Sequence, residues 1–200
     1  MSGPAIILAS GSSSRRAMLE AAGVPFSMTV PDIDEDVLKN ALAKKGVNAA
    51  GIAAGLAEAK AHIVSRMHGD AYVIGADQVL VCEGRLFSKC VDEDEARKTL
   101  RHLRNLEHRL ISTAVIAKDE KTIWRHTESA TLHMRAFSDA FLKDYLTMEL
   151  PDVLGSVGVY RIEGRGAQLF DRVEGDQFCI RGLPLIAVLN ALRDLGALAS

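Results

Sequence analysis

The sequence predicts an α/β fold built on a mixed, twisted sheet, and three observations carry that reading. Short apolar runs at residues 5–9 and 72–74 have the character of buried strands. Apolar residues recur at helical spacing between them, most clearly at Ile52, Leu56, Ala59, Ile63 and Met67. A long alternating segment that ends in Ala130, Leu132 and Met134 reads as one arm of a hairpin. Helices and strands thus alternate irregularly, with a hairpin among them, as expected for a mixed sheet.

The elements follow in order. Residues 5–9 (AIILA) form a strand, residues 10–14 are small and polar, and a helix over 15–22 ends near Gly23. A short helix over 36–45 stops at Gly46, and a stronger one covers 50–67. Tyr72, Val73 and Ile74 make a strand that runs into Gly75-Ala76-Asp77-Gln78; extended chain over 79–82 precedes a turn at Glu83-Gly84-Arg85. Asp92 and Glu95 have the form of a capping box for a helix carrying Ala96, Leu100 and Leu103. Residues 110–117 and 122–135 make a hairpin about Asp119-Glu120, and Ser138 caps a helix containing Phe141, Leu142, Tyr145 and Leu146. Strands are expected around 157–162 and 168–173. Pro184 suits the first position of a final helix, which Gly196 ends. Residues 1–200 read as a single domain, with Leu150-Pro151-Asp152 as the loop between its lobes.

A chain of 200 residues buries roughly 70% of its unfolded surface, so it needs no disulfide or structural metal to fold. The net charge is −2, with acids and bases interleaved, which argues against a broad nucleic-acid face; any anion must be bound locally. Three cysteines without a CxxC fit a reducing compartment. The N-terminal segment lacks a basic n-region, and no apolar stretch approaches the ~20 residues of a spanning helix. The expectation is a cytoplasmic globular protein with neither membrane nor nucleic-acid partner.

The first unusual segment is Ser10-Gly11-Ser12-Ser13-Ser14-Arg15-Arg16. Cations at a helix N-terminus are unfavourable by ~0.3–1 kcal/mol each. Two adjacent arginines there suggest an anion held by free N–H groups, serine hydroxyls and guanidiniums. Solvated arginines behind a serine cap are the competing reading. Asp77 lies just past an apolar strand, at the edge where α/β sheets bind ligands, and suits a metal or a proton; a turn aspartate is the alternative. Lys60 flanks the apolar stripe of its helix and could simply snorkel. Lys89 is ordinary in isolation, and Asp34 and Glu35 belong to an acidic PDIDED run. The sequence contains no G-x-x-x-x-G-K-[ST], no G-x-G-x-x-G, no G-x-S-x-G and no paired histidine ligand spacing, which argues against P-loop, dinucleotide-binding and serine-nucleophile chemistry.

Together these islands resemble the Maf family. LASGSSSRRAMLEAAGVPF is similar to its opening Leu-Ala-Ser-x-Ser-Pro-(x)-Arg-Arg motif, DIDE at 32–35 to its acidic pair, and EAKA at 58–61 to its lysine segment. VIGADQVLVCEG resembles its Gly-(Ala/Ser)-Asp motif, and FSKCVDEDEA its Gly-Lys-Pro segment. GVYRIEGRGAQLFDRVEGD and GLPL complete a match over residues 6–195. Ser13, Cys90 and Asn105 stand where the family usually has proline, proline and glycine, which bears on loop geometry and removes no charged group.

The resemblance implies a two-lobed α/β fold with a central cleft, like inosine-triphosphate-pyrophosphatase-like proteins. It implies hydrolysis of a nucleoside triphosphate to the monophosphate and pyrophosphate, with Mg²⁺ or Mn²⁺. On the matching positions Asp77 is the expected proton acceptor, and Arg15, Arg16, Lys60 and Lys89 hold phosphates. Ser10, Ser12 and Glu35 line the cleft, with Glu35 sharing the metal with Asp77. A homodimer is the family-based expectation. For the base, Asp77-Gln78 and Glu163-Gly164 resemble the branch that acts on 7-methyl-GTP rather than on dTTP or UTP. Ser14 occupies a position where that branch can carry tryptophan, and serine cannot supply stacking worth ~1–3 kcal/mol. Two readings compete with the enzyme: a nucleotide-binding regulator of division arrest that needs no turnover, and an RNA-binding module. A carboxylate pair among the cations favours the enzyme over the first. The acidic balance and 5% aromatic content argue against the second.

Overall fold

The computed structural model describes residues 4–199. Strand β1 (Ile6–Ala9) is buried along its whole length, because neighbours cover both of its faces. It pairs in parallel with the two-residue β2 (Ser27–Met28) and with β3 (Tyr72–Cys82). The chain then turns antiparallel: β5 (Glu107–Lys118) lies on β3, β6 (Lys121–Met134) on β5 and β7 (Phe170–Glu174) on β6, while β4 (Arg85–Phe87) folds back on the end of β3. The resulting order is β2-β1-β3-β5-β6-β7, with β4 off the path. This is the mixed sheet that the sequence predicts.

One expectation changes here in a way that matters for the site. The strand does not stop before Gly75-Ala76-Asp77-Gln78, because β5 pairs with it in unbroken antiparallel register from Val73↔Ala117 to Val81↔Arg109. Parallel pairing with β1, however, ends at Ala9↔Gly75. Asp77 therefore sits within a strand, two residues beyond the end of its parallel neighbour. A second expectation, a strand over 157–162, is not met. That segment is irregular, with Val159 at φ 58, and no strand among the described residues pairs with it.

Among the described residues seven α-helices pack around the sheet: α1 (Ser13–Ala21), α2 (Glu35–Lys44), α3 (Ala49–Ser65), α4 (Glu93–Leu103), α5 (Asp139–Glu149), α6 (Gln177–Ile180) and α7 (Leu185–Asp194). Several start on side-chain caps. Ser12 Oγ accepts from the Arg15 amide, Asp34 from Val37, Asn48 from Gly51, Asp92 from Glu95 and Ser138 from Phe141. Pro184 precedes the first turn of α7 rather than opening it.

The buried face of α3 is rotated from the stripe that the sequence suggests. Ile52, Leu56, Ala57, Ala61 and Val64 face inward, whereas Met67 is 60% exposed. The cause is a close approach to β3: a Cβ on Gly75 would lie 2.2 Å from the Ala57 carbonyl, so only small residues fit the contact. Lys60 falls on this inward face. Two larger cores flank the middle of β3. Leu8, Met18, Ile74, Ile116 and Leu192 belong to one, and Leu80, Leu100, Leu103, Leu132 and Leu146 to the other. Asp77 lies between Ala76 of the first core and Leu80 of the second. Among the described residues no helix is long and apolar enough to cross a membrane.

Candidate active site

A broad cleft opens where β1 ends. It encloses about 1000 Å³ and is lined by the 10–15 loop, the start of α2, Lys60, Asp77, Gln78, Lys89, the 155–163 segment and the turn over 180–182. At its centre the Lys60 ammonium lies 2.6 Å from Asp77 Oδ1 and 2.9 Å from Glu35 Oε2. Lys60 is only 4% exposed and the Asp77 side chain 8%, whereas Glu35 is 43% exposed at the rim. Each element supplies its part for a local reason. The small-residue face of α3 brings Lys60 against the sheet, β3 continues past β1 to present Asp77, and the Asp34 cap starts α2 so that Glu35 lies in its first turn. Burial pushes the Glu35 carboxyl up, but Lys60 outweighs it, with smaller help from Lys89 and Arg15, and holds Glu35 below the usual carboxylate range.

Arg15 is the second buried cation, 8% exposed. Its Nε donates to the Gly182 carbonyl at 2.7 Å and its Nη1 to Ser10 Oγ at 3.2 Å. Ser10 Oγ also accepts the Ser12 amide at 3.2 Å, and Ser12 Oγ the Arg15 amide at 3.4 Å. The serines thus order the loop and the guanidinium together. Burial pushes the Arg15 guanidinium down while Asp77 and Glu35 push it back up; an arginine stays charged regardless. Lys89 lines the cleft from an exposed position.

Arg16 is not brought to this cleft. Consecutive helix residues point in different directions, so burying Arg15 turns Arg16 outward. Its Nε lies 2.7 Å from Glu20 one turn on, beside a shallow groove formed with Val24, Phe26 and Met28.

At the other end of the cleft Glu163 meets Ser14 and Arg181: Ser14 Oγ donates to Glu163 Oε1 at 3.4 Å, and Arg181 Nε is 3.5 Å from the same oxygen. Gln78 is fixed firmly. Its Nε2 donates towards Ser112 Oγ, the Cys179 carbonyl and the Ile180 carbonyl at 3.0, 2.9 and 3.0 Å. With its NH₂ committed to these acceptors, Oε1 is the group Gln78 has left to offer the cleft.

Three basic residues of the cleft escape sequence reasoning. Lys39 Nζ donates to the Phe87 carbonyl at 2.9 Å and to Ser88 Oγ at 2.7 Å, tying α2 to the loop that carries Lys89, and burial lowers its pKa. A signal for it exists, since Lys39 is four residues after Glu35 and shares its helix face. Arg161, whose Nη2 is 3.5 Å from Glu149 Oε2, and Arg181 sit in irregular segments where no periodicity marks them.

The Asp77 and Glu35 carboxylates converge on one ammonium, so their oxygens lie close together. Two hard oxygen donors, completed by water and substrate phosphates, are a donor set that Mg²⁺ or Mn²⁺ accepts. Among the described residues no group of three or more His, Cys, Asp or Glu offers an all-protein cage. Chemically the cleft combines cations with a carboxylate pair at one end and hydrogen-bond acceptors at the other.

Comparison with known proteins identifies the family. Residues 5–195 match the family described as Maf-like protein. The chain is 48% identical over 193 residues to a nucleoside triphosphate pyrophosphatase of Granulibacter bethesdensis, covering 96% of this chain and 98% of that one. It is 43% identical over 195 residues to a 7-methyl-GTP pyrophosphatase of Rhizobium meliloti, covering 98% of each. It is 44% identical over 193 residues to a protein of the same name from Mesorhizobium japonicum, covering 96% of this chain and 97% of that one. Matched along nearly its whole length, the chain belongs to the Maf-like protein family.

Proposed function

We propose that this cleft hydrolyses a nucleoside triphosphate between its α- and β-phosphates, releasing the monophosphate and pyrophosphate. The observation that carries the reading is the convergence of Lys60 on Asp77 and Glu35 beside buried Arg15, in a cleft large enough for a nucleotide. The names of the relatives from Granulibacter bethesdensis and Rhizobium meliloti support it.

A triphosphate brings roughly four negative charges, and phosphoryl chemistry asks the protein mainly for positioning and charge stabilisation. Arg15 keeps N–H groups beyond those committed to Gly182 and Ser10, and these face the phosphates with Lys89 and Lys39. Lys60 holds Asp77 by one oxygen, which leaves the other to orient an attacking water and accept its proton. A carboxylate is in general a weak base towards water. Glu35 and Asp77 would hold a divalent cation, which would supply charge to offset the phosphates and lower the pKa of a bound water. The substrate's base lies towards Gln78 and Glu163, two acceptors that suit the N1–H and N2–H donors of guanine, and 7-methyl-GTP is the substrate we assign.

The test is pyrophosphate release from a panel of nucleotides, 7-methyl-GTP, GTP, dTTP, UTP and ATP, with Mg²⁺ and with Mn²⁺. Release of pyrophosphate at a metal-dependent rate supports the reading. Release of orthophosphate alone, or no hydrolysis of any of them, sinks it.

A further inference from the structure

The cleft wall that carries Glu163 is built from residues 155–163, which form no strand. At its centre Val159 holds φ 58. A β-branched residue in the left-handed region is a genuine outlier, and it persists only where its surroundings over-determine it. Here the surroundings do. The Val159 side chain is fully buried, and its amide donates to the Ser156 carbonyl at 3.1 Å. Its carbonyl accepts from the Tyr145 hydroxyl on α5 at 2.9 Å, in a buried bond. The next residue, Tyr160, is anchored by its own hydroxyl to buried His108 Nε2 at 2.7 Å. Beyond it, a Cβ on Gly166 would meet the Arg161 carbonyl at 2.4 Å, so the chain packs back against itself. Neither Tyr145 nor His108 lines the cleft.

The sign of φ at Val159 sets the direction of the chain that follows. Were Val159 to relax to negative φ, residues 160–163 would leave their present course, and Arg161 and Glu163 would leave the cleft wall with them. The Tyr145 bond acts directly against that relaxation, because losing it leaves a buried carbonyl without a partner.

We propose that Tyr145 is a positioning residue for nucleotide recognition: its hydroxyl holds Val159 in the left-handed backbone that places Glu163 and Arg161 in the cleft. The inference rests on the reading of this wall as the part that meets the base. The reacting end of the cleft is built separately, from Asp77 on β3 and Lys60 on α3, and no hydrogen bond among the described residues joins those two side chains to residues 155–163. Disturbing Tyr145 therefore acts on binding rather than on the chemical step.

The experiment uses whichever nucleotide the wild-type protein hydrolyses fastest, so the identity of the base is not presupposed. Tyr145→Phe removes one oxygen and keeps the ring. It should raise KM roughly ten-fold while kcat stays within about two-fold. Glycine adopts positive φ without strain, so in a Val159→Gly background the added Tyr145→Phe should change KM by less than about two-fold. Unchanged KM in Tyr145→Phe, with only a lower melting temperature, makes Tyr145 merely structural and overturns the proposal. So does an equal rise in KM with and without Val159→Gly. Glu163→Gln separates the two layers. If it alters nucleotide preference while Tyr145→Phe leaves KM unchanged, only the Tyr145 proposal fails; if it leaves preference unchanged across the panel, the reading of the wall fails and the proposal with it.

Discussion

The Lys60 ammonium stands 2.6 Å from Asp77 Oδ1 in a position that is almost wholly buried. Glu35 approaches the same ammonium from the rim at 2.9 Å. A buried charge that loses its sole partner costs several kcal/mol, but Lys60 has two, so neutralising Asp77 does not strand it. That arrangement separates activity from folding at this site.

Asp77→Asn should accordingly abolish turnover without unfolding the protein. The amide keeps the size of the side chain and loses the negative charge and the proton-accepting oxygen. Loss of a general base costs about 10²–10⁴-fold in rate. Pyrophosphate release and a thermal melt measured on the same preparation decide it. Retention of more than half the wild-type rate would exclude Asp77 as the base.

Arg15 and Arg16 are adjacent in sequence and opposite in environment. Arg15→Lys loses the fork that reaches Gly182 and Ser10 while keeping a charge, and arginine and lysine are not equivalent at such a site. Charge-assisted contacts are worth roughly 1.5–3 kcal/mol, so kcat/KM should fall at least about ten-fold. Arg16→Ala removes an exposed pair with Glu20 and should change kcat/KM by less than about two-fold. A ten-fold loss on Arg16→Ala would return Arg16 to the phosphate-binding set.

These two arginines also show how far the sequence could be read. The Ser10–Arg16 segment identifies itself, because serines and arginines at a helix start need an anion or a good alternative, and Ser10, Ser12 and Arg15 do meet in the cleft. Which of the two arginines turns inward depends on the phase of α1, and a short helix with few apolar residues sets that phase weakly. For the converse reason, helical periodicity sets Lys60 beside the apolar stripe, whereas it lies on the buried face. Its helix is apolar on nearly every side, so the stripe through Met67 and the true face through Val64 compete, and the Gly75 contact decides between them. Residues 157–162, with Val157, Val159, Tyr160 and Ile162, have the composition of a strand, yet tertiary bonds from Tyr145 and His108 take the backbone elsewhere. Local pattern cannot report partners that arrive from distant elements.

His108 provides a pH test of the fold. Its ring is 1% exposed, and burial holds its pKa down at about 4, with His133 adding a smaller push in the same direction. An unfolded histidine titrates near 6.5, so between those values the unfolded state binds the extra proton. Stability from this group is therefore complete above pH ~6.5 and drains away as pH falls towards ~4, by about 3 kcal/mol at most. His108→Phe should melt at a temperature that varies less with pH across that window than the wild type. A wild-type melting temperature as flat as the variant's between pH 6.5 and 4.5 would show that His108 is not held neutral.

The final prediction concerns the base. Gln78 has its amide NH₂ turned away onto Cys179, Ile180 and Ser112, and Glu163 is acceptor-only when ionised. Guanine presents N1–H and N2–H donors to such a pair, whereas uracil and thymine present carbonyl acceptors beside a single N–H. A mismatched polar group in a closed site costs ~1–3 kcal/mol, which corresponds to roughly 5- to 150-fold in kcat/KM. The positive charge of a 7-methylated ring adds attraction to Glu163. Working against the margin, Arg181 already neutralises part of that carboxylate at 3.5 Å, and Ser14 gives it a hydrogen bond but offers the base no stacking face. We therefore expect 7-methyl-GTP to exceed dTTP and UTP in kcat/KM by roughly ten-fold rather than by the full range. Glu163→Gln replaces an acceptor with an amide that can also donate, and it should narrow that gap by lowering guanine-nucleotide turnover. Competition assays with paired nucleotides measure the ratio directly. Faster hydrolysis of dTTP or UTP than of any guanine nucleotide would overturn the assignment of 7-methyl-GTP.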